Sequence, residues 1–219
     1  MIPLRDVIPS RTTPYITVTI ILINAAAWFY ELAMPREELN VFLQLFGVVP
    51  AAFVPTTLLT SMFLHGGWSH VIGNMWYLWI FGDNVEDRMG HGRFVVFYLL
   101  CGFVAAVGQI VLDPESTIPM IGASGAIAGV MGAYFVLYPH SRVLTLIPII
   151  IFIDIIELPA IVLLGFWFVM QLFSAGAIAV TSSTGGGGVA FMAHVAGFVM
   201  GVIGVFVFRK KPPPEPWMY

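Results

Sequence analysis

Residues 122–129 read Gly122-Ala-Ser124-Gly125-Ala-Ile-Ala-Gly129 and open an apolar run that continues to about residue 140. Small residues four apart let two membrane helices approach closely, so Gly125 and Gly129 by themselves predict a helix–helix contact. A serine between glycines at the start of such a run also has room around its hydroxyl, because Gly122 and Gly125 leave space for backbone and substrate. A second apolar run, 191–208, carries a lone histidine, His194. An ionisable group inside a membrane segment is costly and is read first as functional.

Composition agrees with a membrane setting. The 219 residues are 59% hydrophobic and 10% charged, where a soluble domain has about 25% charged residues. Six apolar stretches stand out, at about 15–33, 66–82, 93–112, 124–140, 159–178 and 191–208. A straight span takes about 20 residues, with a range of roughly 17–25. The expectation is an all-α membrane protein, a bundle of six transmembrane helices within one membrane domain at 1–211, followed by a Pro-rich disordered tail at 212–219. The fourth stretch is short, so its entry loop, about 113–123, is expected to dip into the membrane or the protein. The apolar stretch 143–158, with Pro148, Asp154 and Glu157, is read as a buried or interfacial connection. No cleavable signal is evident before the first span. A net charge of −3 gives no hint of nucleic-acid binding, and the single cysteine, Cys101, lies inside an apolar run.

Basic residues give an expected orientation. With six spans, Arg5, Arg11, Arg88, Arg93, Arg142, Arg209, Lys210 and Lys211 fall on one side and Arg36 on the other. The excess of Lys and Arg in cytoplasmic loops then puts both termini in the cytoplasm. Of the two outer loops, 34–65 is amphipathic enough to lie in the interface. The other, 179–190, contains Thr-Ser-Ser-Thr followed by four glycines and reads as a flexible lid.

In this arrangement spans two, four and six run in the same direction, and their first turns hold His70 and Asn74, Ser124, and His194. Four polar residues are thus expected at one depth in the outer half of the membrane. A serine hydroxyl needs a base to become a nucleophile, and a neutral imidazole can take that proton and return it to a leaving amine. His70 and Asn74 share a helix face and can donate hydrogen bonds to an oxyanion. Each residue alone also fits a packing role, as glue between helices. His65 is assigned a structural role, Trp68, Trp76 and Trp79 anchor or pack, and His91 and His140 are read as solvated loop residues. A metal site built on His65, His70 and His194 is the competing chemistry, but no His-Glu-x-x-His motif is present. Asp113 and Glu115 precede Ser124, and nothing aims either at His194, which leaves a Ser–His dyad.

At this point the motifs resemble a family. His65-Gly-Gly-Trp-Ser-His70-Val-Ile-Gly-Asn74, Gly122-Ala-Ser124-Gly125 and Ala193-His194-Val-Ala-Gly197-Phe-Val-Met-Gly201 resemble the rhomboid intramembrane serine proteases, in order and on the matching spans. Glu86-Asp-Arg-Met-Gly90, with Tyr98 beyond, is similar to the family's loop between spans two and three. The resemblance covers about 60–210. It implies a six-helix bundle open to the extracytoplasmic face and sited in the cell membrane. It also implies Ser124 as nucleophile, His194 as general base and acid, and His70 and Asn74 as oxyanion donors beside the Ser124 N–H. No metal or cofactor is implied, and the partners are the lipid bilayer and substrates with a transmembrane helix, cut near the outer end of that helix. Two positions depart from the family pattern. Arg36 stands in Pro-Arg-Glu-Glu where many members have Trp-Arg. Ala128 occupies the position of an aromatic against the histidine, so no residue is assigned to orient His194. Two other classes remain open on the residues: a non-catalytic rhomboid-like binder of membrane helices, and a small transporter with a polar midplane site.

Overall fold

A computed structural model describes residues 1–149, 152–181 and 190–210; the tail at 212–219 and the Gly-rich stretch 182–189 lie outside the described residues. Helices occupy each of the six apolar stretches. In chain order the elements are β1 (Ile2–Asp6), α1 (Tyr15–Leu32), α2 (Arg36–Phe46), α3 (Thr57–Thr60), α4 (Trp68–Met89), α5 (His91–Leu112), α6 (Ser124–Leu137), β2 (Arg142–Ile149), β3 (Phe152–Pro159), α7 (Ala160–Thr181) and α8 (Phe191–Phe208). Single 3-10 turns at Pro50–Ala52 and Ser61–Phe63 complete the segment between α2 and α4. By length and composition α1, α5, α7 and α8 qualify as membrane spans, and α6 is a shorter apolar helix of 14 residues. The chain is an integral multi-pass membrane protein. Although α4 has 22 residues, Ser69, His70, Asn74, Asp83, Asn84 and Glu86 dilute its apolar character.

Helix α6 is the axis of the molecule. Every residue from Gly125 to Tyr134 is buried, enclosed by α4, α5, α7 and α8. Glycine makes this enclosure possible. A Cβ on Gly201 would lie 1.9 Å from the Gly129 carbonyl oxygen, and one on Gly197 would lie 2.1 Å from that of Gly125. On the other side of α6, a Cβ on Gly125 would lie 2.5 Å from the Ala105 Cβ of α5. Backbone therefore packs on backbone along α6–α8, where dispersion and weak Cα–H···O contacts replace side-chain interdigitation.

The end of the bundle away from Ser124 is fastened by carboxylates. Pro14 precedes α1 and offers no side-chain cap. Glu86 of α4, fully buried, supplies the acceptor instead. It accepts the Ile16 and Thr17 N–H groups at 3.0 and 2.8 Å and the Thr17 hydroxyl at 2.7 Å. A carboxylate at a helix N-terminus satisfies free N–H groups and complements the helix dipole. Asp87 accepts the Arg11 and Thr12 N–H groups at 2.5 and 3.0 Å and also the Thr12 hydroxyl. The Lys210 N–H donates to the Arg88 carbonyl at 2.7 Å, which brings the end of the last helix to the same place. His91, read from sequence as a solvated loop residue, corrects to the first residue of α5, with Nδ1 2.6 Å from the Glu86 carboxylate.

The all-α expectation is also corrected. Strands β1, β2 and β3 form an antiparallel sheet in that order, with Asp6 opposite Val143, and Val143 opposite Leu158. The stretch read as a connection at 143–158 is a hairpin, rich in β-branched residues that suit a pleated surface. Its partner, β1, comes from the far end of the chain. Helices hold the sheet's near edge: the Trp76 Nε1–H of α4 donates to the Pro3 carbonyl at 2.6 Å, and the Tyr134 O–H of α6 donates to the Asp6 carboxylate at 2.6 Å. Burial raises the Asp6 carboxyl to about 6, against the Tyr134 bond, which lowers it. Met1 then lines a cavity of about 100 Å³ with Tyr77 of α4, Met131 of α6 and Trp167 and Met170 of α7.

The glycine contact yields a direct test. Replacing Gly201 by Ala forces α8 off α6 and should cost about 1–3 kcal/mol, the usual range for overpacking. Gly176→Ala on α7, where an added Cβ meets nothing within 4 Å, should be neutral or slightly stabilising. Unfolding midpoints in detergent, compared across wild type and the two variants, check both; equal midpoints for all three would refute the close contact.

Candidate active site

Ser124 is the first residue of α6, and the preceding residue, Ala123, gives that helix no side-chain cap. The N–H groups of a helix's first turn have no intrahelical acceptor, so α6 begins with donors its own carbonyls do not take and with the positive end of its dipole beside the Ser124 hydroxyl. Gly122 delivers the chain into this turn. Its φ is +119°, a conformation other residues resist, and a Cβ there would lie 2.6 Å from His70 Nε2. Only glycine satisfies both constraints. The Gly122 N–H is tied to the Ser61 carbonyl at 2.9 Å.

His194 lies in the first turn of α8 and is buried. The α6–α8 glycine contact carries it to Ser124: His194 Nε2 and Ser124 Oγ are 2.8 Å apart. Its other nitrogen, Nδ1, is 2.8 Å from Gln171 Oε1 of α7. The Trp167 ring, one turn before Gln171, has its centroid 5.7 Å from that of His194 with 35° between planes. Gln171 and Trp167 were not singled out in the sequence. The available signal was a lone amide in an otherwise apolar helix, the sort of residue that has a partner when it lies in a membrane.

His70 and Asn74 approach from α4. The atoms nearest a Cβ built on Gly122 are His70 Nε2 and Cε1, with Asn74 Nδ2 at 3.6 Å. Both side chains thus face the turn that carries Ser124. The Gly66 N–H donates to His70 Nδ1 at 3.4 Å. Asn74 Nδ2 lies 3.0 Å from His65 Nε2. His65 is itself buried, and its backbone N–H donates to the Glu31 carboxylate of α1 at 3.2 Å. A relay of Glu31, the His65 backbone and ring, and Asn74 thus runs from α1 to α4 and ends beside the Gly122 turn. The His65 and His70 rings are 5.0 Å apart, edge to face. Among the described residues no three His, Cys, Asp or Glu side chains gather as metal ligands.

The entry to α6 is pinned rather than free. Val48 and Met120 exchange backbone hydrogen bonds at 3.0 and 2.8 Å, and the Ala51 N–H donates to the Ser116 carbonyl at 3.0 Å. The segment before Ser124 therefore packs on the segment after α2. That second segment follows α2, an amphipathic helix whose Val41 and Leu45 are exposed.

Comparison with known proteins gives a consistent family. Residues 52–211 match the model of the Rhomboid domain. The chain is 42% identical over 76 residues to "Rhomboid protease GluP" of Bacillus subtilis, covering 35% of this chain and 14% of that protein. It is 30% identical over 159 residues to "Rhomboid-like protein 11, chloroplastic" of Arabidopsis thaliana, covering 70% and 52%. It is 26% identical over 168 residues to "Rhomboid protein 1, mitochondrial" of Saccharomyces cerevisiae, covering 74% and 45%. The matched region thus spans between 14% and 52% of these relatives' lengths.

The His65 relay has a pH signature. Burial, reinforced by the neighbouring His70, pushes the His65 imidazole from 6.5 down to about 4. Below pH 6.5 the unfolded chain takes up a proton that the folded protein refuses, so stability falls as pH drops towards 4 and is not lowered further by this group below it. His65→Gln keeps an acceptor for Asn74 without the titration. Thermal unfolding at pH 7 and pH 5 should therefore show a smaller acid loss in the variant than in wild type; equal losses would remove His65 as the source.

Proposed function

This chain belongs to the rhomboid family, and we propose that it is an intramembrane serine endopeptidase that cuts single-span membrane proteins near the outer end of their helix. The observation that carries this reading is the 2.8 Å separation of Ser124 Oγ and His194 Nε2, with His194 Nδ1 already held on its other side. In the reading, Ser124 is the nucleophile, His194 the general base and then acid, and His70, Asn74 and the Ser124 N–H the oxyanion donors. Gly122 makes room for His70 beside the serine turn, and Gly125 lets α5 close on α6, the serine's helix.

The chemistry follows from those positions. His194 Nε2 takes the hydroxyl proton as Ser124 Oγ bonds to the substrate carbonyl carbon, and the carbonyl π electrons move onto oxygen. In this reading the oxyanion forms on the side of the serine turn that His70 and Asn74 face, and donors aimed at developing charge are usually the largest single contribution to such reactions. Collapse of the intermediate breaks the C–N bond, and His194 gives its proton to the leaving amine. Water, deprotonated by the same imidazole, then hydrolyses the acyl-enzyme. A substrate helix hides its carbonyls in its own hydrogen bonds, so substrates with helix-weakening residues at the cut should react best.

Six spans with both termini in the cytoplasm, and a dyad facing the outside of the cell membrane, complete the proposal. The bonds from Arg11 to Asp87 and from Lys210 to Arg88 support the orientation, since they gather basic residues at the end opposite Ser124.

Purified protein in detergent or liposomes, given a model single-span substrate, tests this reading. Wild type should cleave, Ser124→Ala and His194→Ala should not, and all three should remain folded. Cleavage surviving Ser124→Ala would sink the serine mechanism. Asn74→Ala should lower turnover by roughly 10²–10³, the usual loss of one oxyanion donor; unchanged turnover would take Asn74 out of that role.

A further inference from the structure

The geometry points to Gln171 as the positioning residue for His194, a third member of the site contributed by α7; this rests on Ser124 and His194 acting as nucleophile and base. An imidazole with two nitrogens can present either a lone pair or a proton to Ser124, and the partner of the far nitrogen decides which. Gln171 Oε1, 2.8 Å from Nδ1, accepts a hydrogen bond and so places the proton on Nδ1. The lone pair is then on Nε2, 2.8 Å from Ser124 Oγ, where a base must have it. When Nε2 takes the serine proton and the ring becomes a cation, the Nδ1–H···O bond is kept and strengthened, since charge-assisted bonds are the stronger ones.

Helix α7 also fixes the plane of the ring. Trp167 and Gln171 are four residues apart and therefore share a face. Trp167 sits beside the ring while Gln171 holds its edge. On α6 the residue one turn after Ser124 is Ala128, too small to support the ring, so α7 supplies the contact that α6 lacks. A neutral amide suits this place. A buried carboxylate would need its own partners, and no Asp or Glu is hydrogen-bonded to His194 among the described residues. The titratable side chain that acts electrostatically on His194 is His70.

The test separates Gln171 from the dyad. A fluorophosphonate probe reports Ser124 nucleophilicity without a membrane substrate, so its second-order labelling rate is measured across pH for purified wild type, Gln171→Leu and Gln171→Glu, with thermal midpoints beside it. Gln171→Leu should slow labelling by about 10- to 100-fold, less than the 10²–10⁴ expected for loss of the base itself. Gln171→Glu keeps the acceptor and should retain labelling, with the acidic limb of its profile moved to higher pH because a carboxylate stabilises the imidazolium. A merely structural role would lower the midpoints of both variants and leave the limb in place. Equal labelling rates for wild type and Gln171→Leu, or an unshifted limb in Gln171→Glu, would overturn the role of Gln171 while the dyad stands. No labelling of wild type at Ser124 would overturn the nucleophile, and the Gln171 proposal with it.

Discussion

The contact between the glycine faces of α6 and α8 governs the rest of the molecule. Gly125 and Gly129 present carbonyls where Gly197 and Gly201 have no side chains. This sets how near α8 comes to α6, and therefore how near His194 comes to Ser124. Lipid tails are as apolar as the helix surfaces, so burial alone gives two such helices little reason to associate; close backbone approach does. The packing reading and the chemical reading of Gly122–Gly129 are thus one fact seen at two scales. A methyl group in this seam would move an imidazole at its end.

The two ends of the bundle solve opposite electrostatic problems. At one end the Glu86 and Asp87 side chains accept N–H groups at the start of α1 and just before it, a site that favours negative charge. At the other, the start of α6 faces a hydroxyl, imidazoles and amides, with no carboxylate hydrogen-bonded to Ser124 or His194 among the described residues. The helix that joins them, α4, carries both Asn74 and Glu86, so its polar residues are spent at its two ends and its middle is left to pack. That distribution explains why α4, alone among the long helices, lacks the hydropathy of a span.

Much of the helical framework was legible because membrane helices must be apolar over a fixed length, and six stretches met or nearly met that rule. The meeting of Ser124 with His194, and of His70 and Asn74 with Gly122, was legible because all four begin stretches that run the same way. The sheet was not. Its strands lie in the same apolar composition as the helices, and the register joins residues 2–6 to a hairpin about 140 positions later, which no local pattern announces. His91 was misjudged because its partner, Glu86, reads as a polar loop residue until α4 is seen to extend to Met89. Gln171 escaped notice because α7 and α8 are joined by a Gly-rich segment without periodicity, so nothing in the spacing aligns residue 171 with residue 194.

Helix α6 has 14 residues, a length of about 21 Å, beside a hydrocarbon layer of about 30 Å. Irregular backbone leads into this helix, and at membrane depth such backbone persists where protein or water satisfies it. Here the partners are other irregular residues: Val48 with Met120, Ala51 with Ser116, Ser61 with Gly122. Two stretches some sixty to seventy positions apart in the chain are consequently riveted into one plate at the entry to α6. Such a plate cannot be lifted at one side by peeling a single loop, because each carbonyl released would have to find water at once. To part, it must either tilt as a whole or flood its seam.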